Sequence, residues 1–136
     1  MAAVSELIRS EGNGALSFGN HTLSSKEKKE DFPHEGDLYK VKTYNEITRL
    51  ERNGSFVYES VPGTSVNNFK ETSDTVSFDA EGEEDAQITL GLADETEYEV
   101  KINGESIGKM KTNLGGKLSI SAELSNGPVS VEVKKA

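Results

Sequence analysis

Two short stretches hold residue types whose spacing could do chemistry. His34-Glu35-Gly36-Asp37 sets an imidazole beside two carboxylates, the makings of an acid–base pair or of metal ligands. His21 is the only other histidine, and neither an HxH nor an HExxH spacing occurs. A zinc site needs three or four ligands in fixed geometry, and this stretch supplies too few. The proline and glycine of Phe32–Asp37 read more simply as a polar turn. The second stretch, Asp79 to Asp85, carries carboxylates at Asp79, Glu81, Glu83, Glu84 and Asp85. It is oxygen-rich enough for Ca²⁺ but lacks the glycine and the bidentate glutamate that an EF-hand loop places at set positions. An exposed acidic hairpin tip accounts for it.

Other reaction chemistries find no residues. The chain has no cysteine, so thiolate metal sites, thiol nucleophiles and disulfides are excluded. No GxSxG elbow is present, and neither Gly12-Asn13-Gly14 nor Gly115-Gly116-Lys117 fits a phosphate loop. With 24 acidic residues, a carboxylate pair for glycoside hydrolysis can always be drawn and none is singled out. The expectation is a protein that is not an enzyme and needs no cofactor. Binding is a better prospect. Tyr39, Tyr44 and Tyr58 fall on consecutive apolar–polar segments and could form a small stacking platform for a sugar ring. With Arg49 and Phe56 of the same region they are the candidate ligand or interface residues.

The elements that must position these side chains are strands. In Glu97–Met110, Tyr98, Val100 and Ile102 alternate with polar residues up to Asn103-Gly104. That is a strand of one dry and one wet face, followed by the dipeptide best suited to a type I′ turn. Leu38–Tyr44 alternates in the same way. In Glu46–Ser60 the Asn53-Gly54 turn is central; a two-residue turn sets Leu50 opposite Val57 and Arg49 opposite Tyr58. Both faces of that hairpin are then partly apolar, which suggests that it is sandwiched or reaches a second subunit. Val61-Pro62-Gly63-Thr64 has the form of a type II turn. Further strands follow at Val76–Ala80, Ile88–Leu92, Leu118–Leu124 and Val129–Val133.

The first third is less regular. Val4, Leu7 and Ile8 make a narrow helical stripe, predicting a short helix over Ala2–Ser10 that must dock on something. Leu16–Leu23 reads as a miniature hairpin, and Ser24–Asp31 as a solvated loop or single helical turn. The fold expected is all-β: an antiparallel β-sandwich or small barrel of about 8–10 strands with a short N-terminal helix. Residues 1–136 form one β-rich domain, with possible lobes at 14–70 and 71–136.

The net charge of −9 argues against nucleic acid, whose phosphates want a basic face. The charge is uneven: residues 71–99 hold eleven acids and no lysine or arginine, while residues 100–136 hold six lysines and three glutamates. Lys101, Lys109 and Lys111 are placed to answer those acids, within one chain or between two. No apolar run approaches the roughly 18 residues of a membrane span, and Met1–Gly14 lacks the basic and apolar regions of a signal peptide. A cytoplasmic location without membrane association is the default.

Gly36–Thr43, Glu46-Ile47-Thr48, Phe56–Thr64 and Lys109–Leu118 resemble a group of short, essentially uncharacterised bacterial β-rich proteins, some of which bear the label endosialidase. Sialidases use an arginine cluster, a tyrosine nucleophile and a separate acid on a far larger propeller. This chain has only Arg9, Arg49 and Arg52, so the resemblance carries no catalytic residue across. Tyr98–Gly108 is similar to the strand–turn–strand of bacterial accessory β-sandwich modules. The function expected is that of a non-catalytic β-module acting by self-association or on a protein partner. A carbohydrate-binding or surface-associated module is the alternative, and a glycan hydrolase a distant third.

Overall fold

The computed structural model describes residues 3–136, in which 59% of the chain is strand and no helix occurs. The strands are β1 (Ile8–Ser10), β2 (Leu16–Phe18), β3 (Glu27–His34), β4 (Asp37–Thr43), β5 (Thr48–Arg52), β6 (Ser55–Val61) and β7 (Ser65–Glu71). After these come β8 (Thr75–Glu81), β9 (Ala86–Gly91), β10 (Glu97–Ile102), β11 (Glu105–Lys111), β12 (Lys117–Ala122) and β13 (Val129–Lys135). They form two antiparallel sheets. One has seven strands in the order β1-β2-β7-β8-β13-β10-β11, the other six in the order β12-β9-β6-β5-β4-β3. Each sheet ends in two unpaired edges, so the barrel alternative is not realised. Pairs β6–β9 and β7–β8 cross the boundary near residue 70, so the two halves of the chain share both sheets and one core.

The period-two segments supply that core. Val76, Phe78 and Ala80, Ile88 and Leu90, Tyr98 and Val100, Leu118, Ile120 and Ala122, and Val129, Val131 and Val133 are all buried. At the centre, Phe18, Tyr58, Phe69 and Phe78 meet, with the Tyr58 ring edge-on to Phe18 at 5.2 Å and to Phe78 at 5.6 Å. Such aromatic contacts add about 0.5–1.5 kcal/mol each beyond the area they bury.

Several expectations need correction. Ala2 lies outside the described residues, but the remainder of the expected N-terminal helix is a turn leading into β1. The Leu7 N–H donates to the Val4 carbonyl, Val4 N–H to Gly19 O and Gly19 N–H to Leu7 O, at 2.9–3.0 Å. Partners across the sheet thus take the backbone groups that so short a helix would have had to satisfy alone, and Val4 and Ile8 are buried all the same. The expected miniature hairpin at Leu16–Leu23 is also absent: β2 pairs with β1 and β7 instead. Ser24–Asp31 is largely edge strand, its charges facing solvent along the rim of the six-stranded sheet.

The Glu46–Ser60 hairpin turns at Asn53 and Gly54, both at positive φ (50° and 81°), but a bulge after Glu51–Phe56 shifts the register by one. Leu50 faces Tyr58 and Arg49 faces Glu59. Val57 and Tyr58 are consecutively buried, whereas Phe56 stays on the outer face. No type II turn forms at Val61–Thr64 either. The Val61–Pro62 bond is cis and Gly63 does not take positive φ. Glycine is needed there because a Cβ would stand 1.9 Å from the Tyr44 carbonyl oxygen.

Under that crossing lies a buried relay of hydroxyls. Asn20 N–H donates to Thr43 Oγ1 at 2.9 Å, and Thr43 Oγ1 lies 2.8 Å from Thr48 Oγ1. Thr48 Oγ1 donates to the Thr64 carbonyl at 2.7 Å, and Tyr58 and Ser60 both reach Thr64 Oγ1. All of these hydroxyl groups are inaccessible, so each polar group must find its partner inside the protein.

Candidate functional site

The five candidate residues do not come together. Tyr58 is fully buried between the sheets, its hydroxyl 2.7 Å from Thr64 Oγ1, and burial pushes that hydroxyl far above its ordinary value. It can present no ring to a ligand. Tyr39 points inward from β4 and is 8% exposed. Tyr44 is half-buried in the β4–β5 connection, its N–H donating to Ile47 O. A tyrosine platform is therefore not assembled.

Arg49 and Phe56 do share a place, the outer face of the six-stranded sheet. The Arg49 guanidinium carbon stands 5.1 Å from the Phe56 ring centroid and Lys117 Nζ 4.9 Å from the same centroid. Arg49 also pairs with Glu51 at 3.1 Å and Glu59 at 2.9 Å. Burial alone would lower the Arg49 pKa; its two carboxylate partners reverse this and raise it. The apolar outer side of the Glu46–Ser60 hairpin is thus covered from within the chain, and the N-terminal stripe is likewise docked on its own sheet.

Tyr39 opens onto a pocket of about 470 Å³ at one end of the sandwich, which Arg52 and Glu71 also line. Arg52 Nη1 reaches Glu71 Oε1 at 2.5 Å, tying β5 in one sheet to β7 in the other. Desolvation would lower the Arg52 pKa; the hydrogen bonds to Glu71 and Tyr39 outweigh it and raise it. His34 stands at the same mouth with both ring nitrogens engaged. Nε2 donates to Gly14 O at 3.1 Å, and Nδ1 lies 2.8 Å from Ser10 Oγ. Since a carbonyl can only accept, Nε2 carries the proton and the serine hydroxyl donates to Nδ1 in the neutral ring. His34-Glu35-Gly36-Asp37 is the β3–β4 turn, with Glu35 and Gly36 at positive φ. Its histidine braces the N-terminal strands.

Two acids of the acidic stretch are similarly occupied. Asp85 Oδ1 accepts from Leu124 N–H, Ser125 N–H and Ser125 Oγ, fixing the end of β12, and Asp79 accepts from Ser130 Oγ at 2.6 Å. Among the described residues no group of three histidines or acids is placed to hold a metal ion. No helix there is long and apolar enough to cross a membrane.

One further groove was not foreseen. Seven strands face six, and β11 lies beyond the rim of the smaller sheet. Six of its seven residues are exposed and Met110 is half-buried, while Leu118, Ile120 and Ala122 of β12 are buried. Beneath this overhang runs a groove of about 640 Å³ lined by Ile102, Glu105, Ile107, Ser121, Glu123 and Val129, among others. Ile107 is the extra residue of a bulge that pairs Val100 with Gly108 but Lys101 with Ser106, and it is 51% exposed. The only sequence signal was Gly108, whose φ of 112° makes the bulge. Lys109 and Lys111 stand opposite Glu99 and Glu97 across the hairpin, so the register sets those charges within one chain, without an ion pair at contact distance. Comparison with protein-family models, curated proteins and solved structures finds no match to this chain.

Proposed function

We propose that the protein is a non-catalytic β-sandwich module that works by binding another polypeptide. One observation carries this reading: the groove under β11, where a large apolar side chain, Ile107, is half-exposed beside the unpaired edge of β12. An edge strand with free backbone groups is a ready template for another chain, and apolar surface left in such a cleft marks contact sites. The polar groups at the sandwich end support catalysis and sugar binding less well, because Arg52, Glu71 and His34 hold one another or the scaffold.

The test places a photo-crosslinking benzophenone amino acid at position 107 and, as a control, at position 38. Leu38 is equally exposed, at 50%, on the outer face of the six-stranded sheet. Irradiation in the native cell should give discrete protein adducts from position 107 alone, identified by mass spectrometry. Identical adducts from both positions, or none from position 107, would overturn the reading.

A further inference from the structure

We infer that the groove receives one extended strand, in which basic residues alternate with apolar ones, as the missing seventh strand of the smaller sheet. This rests on the polypeptide-binding reading and specifies its partner. Three observations converge on it.

The first is the phase of the β12 edge. Leu92 N–H donates to the Gly116 carbonyl at 2.7 Å, and the same register continues through Leu118↔Leu90 and Ile120↔Ile88. Hydrogen-bonded pairs alternate along an antiparallel ladder. Leu118, Ile120 and Ala122 therefore direct their N–H and C=O groups to β9, while Ser119 and Ser121 turn theirs to the empty side; those of Lys117 are taken by Asn113, which closes the start of the edge. That edge has no proline and no register shift along its length.

The other edges are less receptive. β1 has three residues; β3 carries five charged residues, Pro33 and a register shift. β11 has its bulge, Lys109 and Lys111. Short length, charge, proline and bulges are the devices that keep an edge unpaired.

The second observation is the ceiling over the vacant position. Ile102, Ile107, Pro128 and Val129 line the groove, so a strand laid beside β12 would meet apolar side chains on its inward face. At about 640 Å³ the space suits a short run of extended chain, within the usual range of ligand sites.

The third is charge. Glu105 and Glu123 line the groove with no lysine or arginine among its residues, and among the described residues neither side chain has an ion pair or hydrogen bond. Opposite charges fix register and partner choice at such a contact, so basic residues on the incoming strand are selected. A second copy paired β11 to β11 would instead bring Lys109 and Lys111 against the same lysines and would leave the β12 edge unfilled.

The experiment uses the full chain and two dye-labelled capped peptides, one alternating lysine with valine and one alternating glutamate with valine, followed by fluorescence anisotropy. The lysine peptide should bind and perturb the amide resonances of Ser119 and Ser121, while the glutamate peptide should not bind. Glu105→Lys with Glu123→Lys should weaken binding about tenfold. The charge-matched pair Glu83→Lys with Glu84→Lys, outside the groove, should change it less than twofold. Ser119→Pro removes an outward N–H without touching the β9 ladder and should abolish binding, with Ser119→Ala retaining it and thermal melting of both confirming the fold. Equal binding of both peptides, equal loss from both charge pairs, or binding undiminished in a folded Ser119→Pro would overturn the inference. If adducts still form at position 107 under any of those results, only the basic-strand assignment fails.

Discussion

Ser17 is fully buried, and its hydroxyl does two things at once: it donates to Glu11 Oε2 at 2.5 Å and accepts from Asn68 N–H at 3.2 Å. It thereby ties the β1–β2 loop to the bulged residue of β7. The hydrogen bond from Ser17 holds the Glu11 carboxyl below its ordinary 4.5, against the opposing pull of desolvation and with help from Arg9. A carboxyl whose folded value is depressed takes up its proton first in the unfolded chain. Its contribution to stability is complete above about pH 4.5 and is lost as pH falls through the lowered folded value. Ser17→Ala should therefore cost about 1 kcal/mol at pH 7, where the Asn68 amide loses its acceptor. It should also flatten the acid limb of the stability curve. Urea melts of both proteins at pH 7 and pH 3.5 measure this, and an unchanged difference between the two pH values would refute the linkage. Nothing in the sequence marks Ser17, a small polar residue in an otherwise apolar triplet. Only the β2–β7 crossing explains it.

At the level of elements, alternation carried most of the information. From β8 onward the buried positions follow the period-two reading, and Asn103-Gly104 makes the expected turn with φ of 53° and 83°. What alternation cannot express is a single inserted residue. The bulges at Val57 and Ile107 each re-aim the residues that follow, which is why Tyr58 belongs to the core and Ile107 to the groove. The edge strand β3 was obscured by its own charges, since a rim strand needs no apolar face to pair. The three-residue apolar spacing of Val4, Leu7 and Ile8 suited a turn as well as a helix, because Leu7 adopts a φ of 73°. Of the candidate residues, Arg49 and Phe56 lie together on one outer face; the groove was not legible, because it arises from unequal strand counts in two sheets.

Two glycines separate the effects of space and of φ. At Gly104 nothing lies within 4 Å of an added Cβ, so Gly104→Ala should cost only the left-handed penalty of about 1–2 kcal/mol. At Gly63 the φ is ordinary but the Tyr44 carbonyl oxygen would be 1.9 Å away, so Gly63→Ala must push two chain crossings apart and should cost about 4 kcal/mol or more. Chemical denaturation of the two variants should rank them in that order by a clear margin. The reverse order would mean that the Tyr44–Gly63 approach is not maintained in solution.

For the whole molecule the question is what keeps two open sheets from joining end to end. The apolar surfaces that suggested self-association are covered internally, Phe56 by Arg49 and Lys117 and the N-terminal stripe by β2. What remains is edges, and on the seven-stranded sheet the long edge is β11. Its outward lysines, Lys109 and Lys111, are answered on one side by Glu99 and Glu97 of β10. On the free side they would meet the same lysines of a second copy aligned antiparallel, and like charges directly opposite are destabilising. The natural chain should accordingly stay monomeric, at 14.7 kDa, when concentrated alone. Replacing both lysines with valine removes that repulsion and raises the β-propensity of an already unpaired strand. Lys109→Val with Lys111→Val should then form dimers or larger sheets in light scattering behind gel filtration, more so at higher concentration, whereas Lys109→Arg with Lys111→Arg should not. If the valine variant remains monomeric, the bulge at Ile107 is by itself enough to close that edge. The lysines would then serve only the net charge.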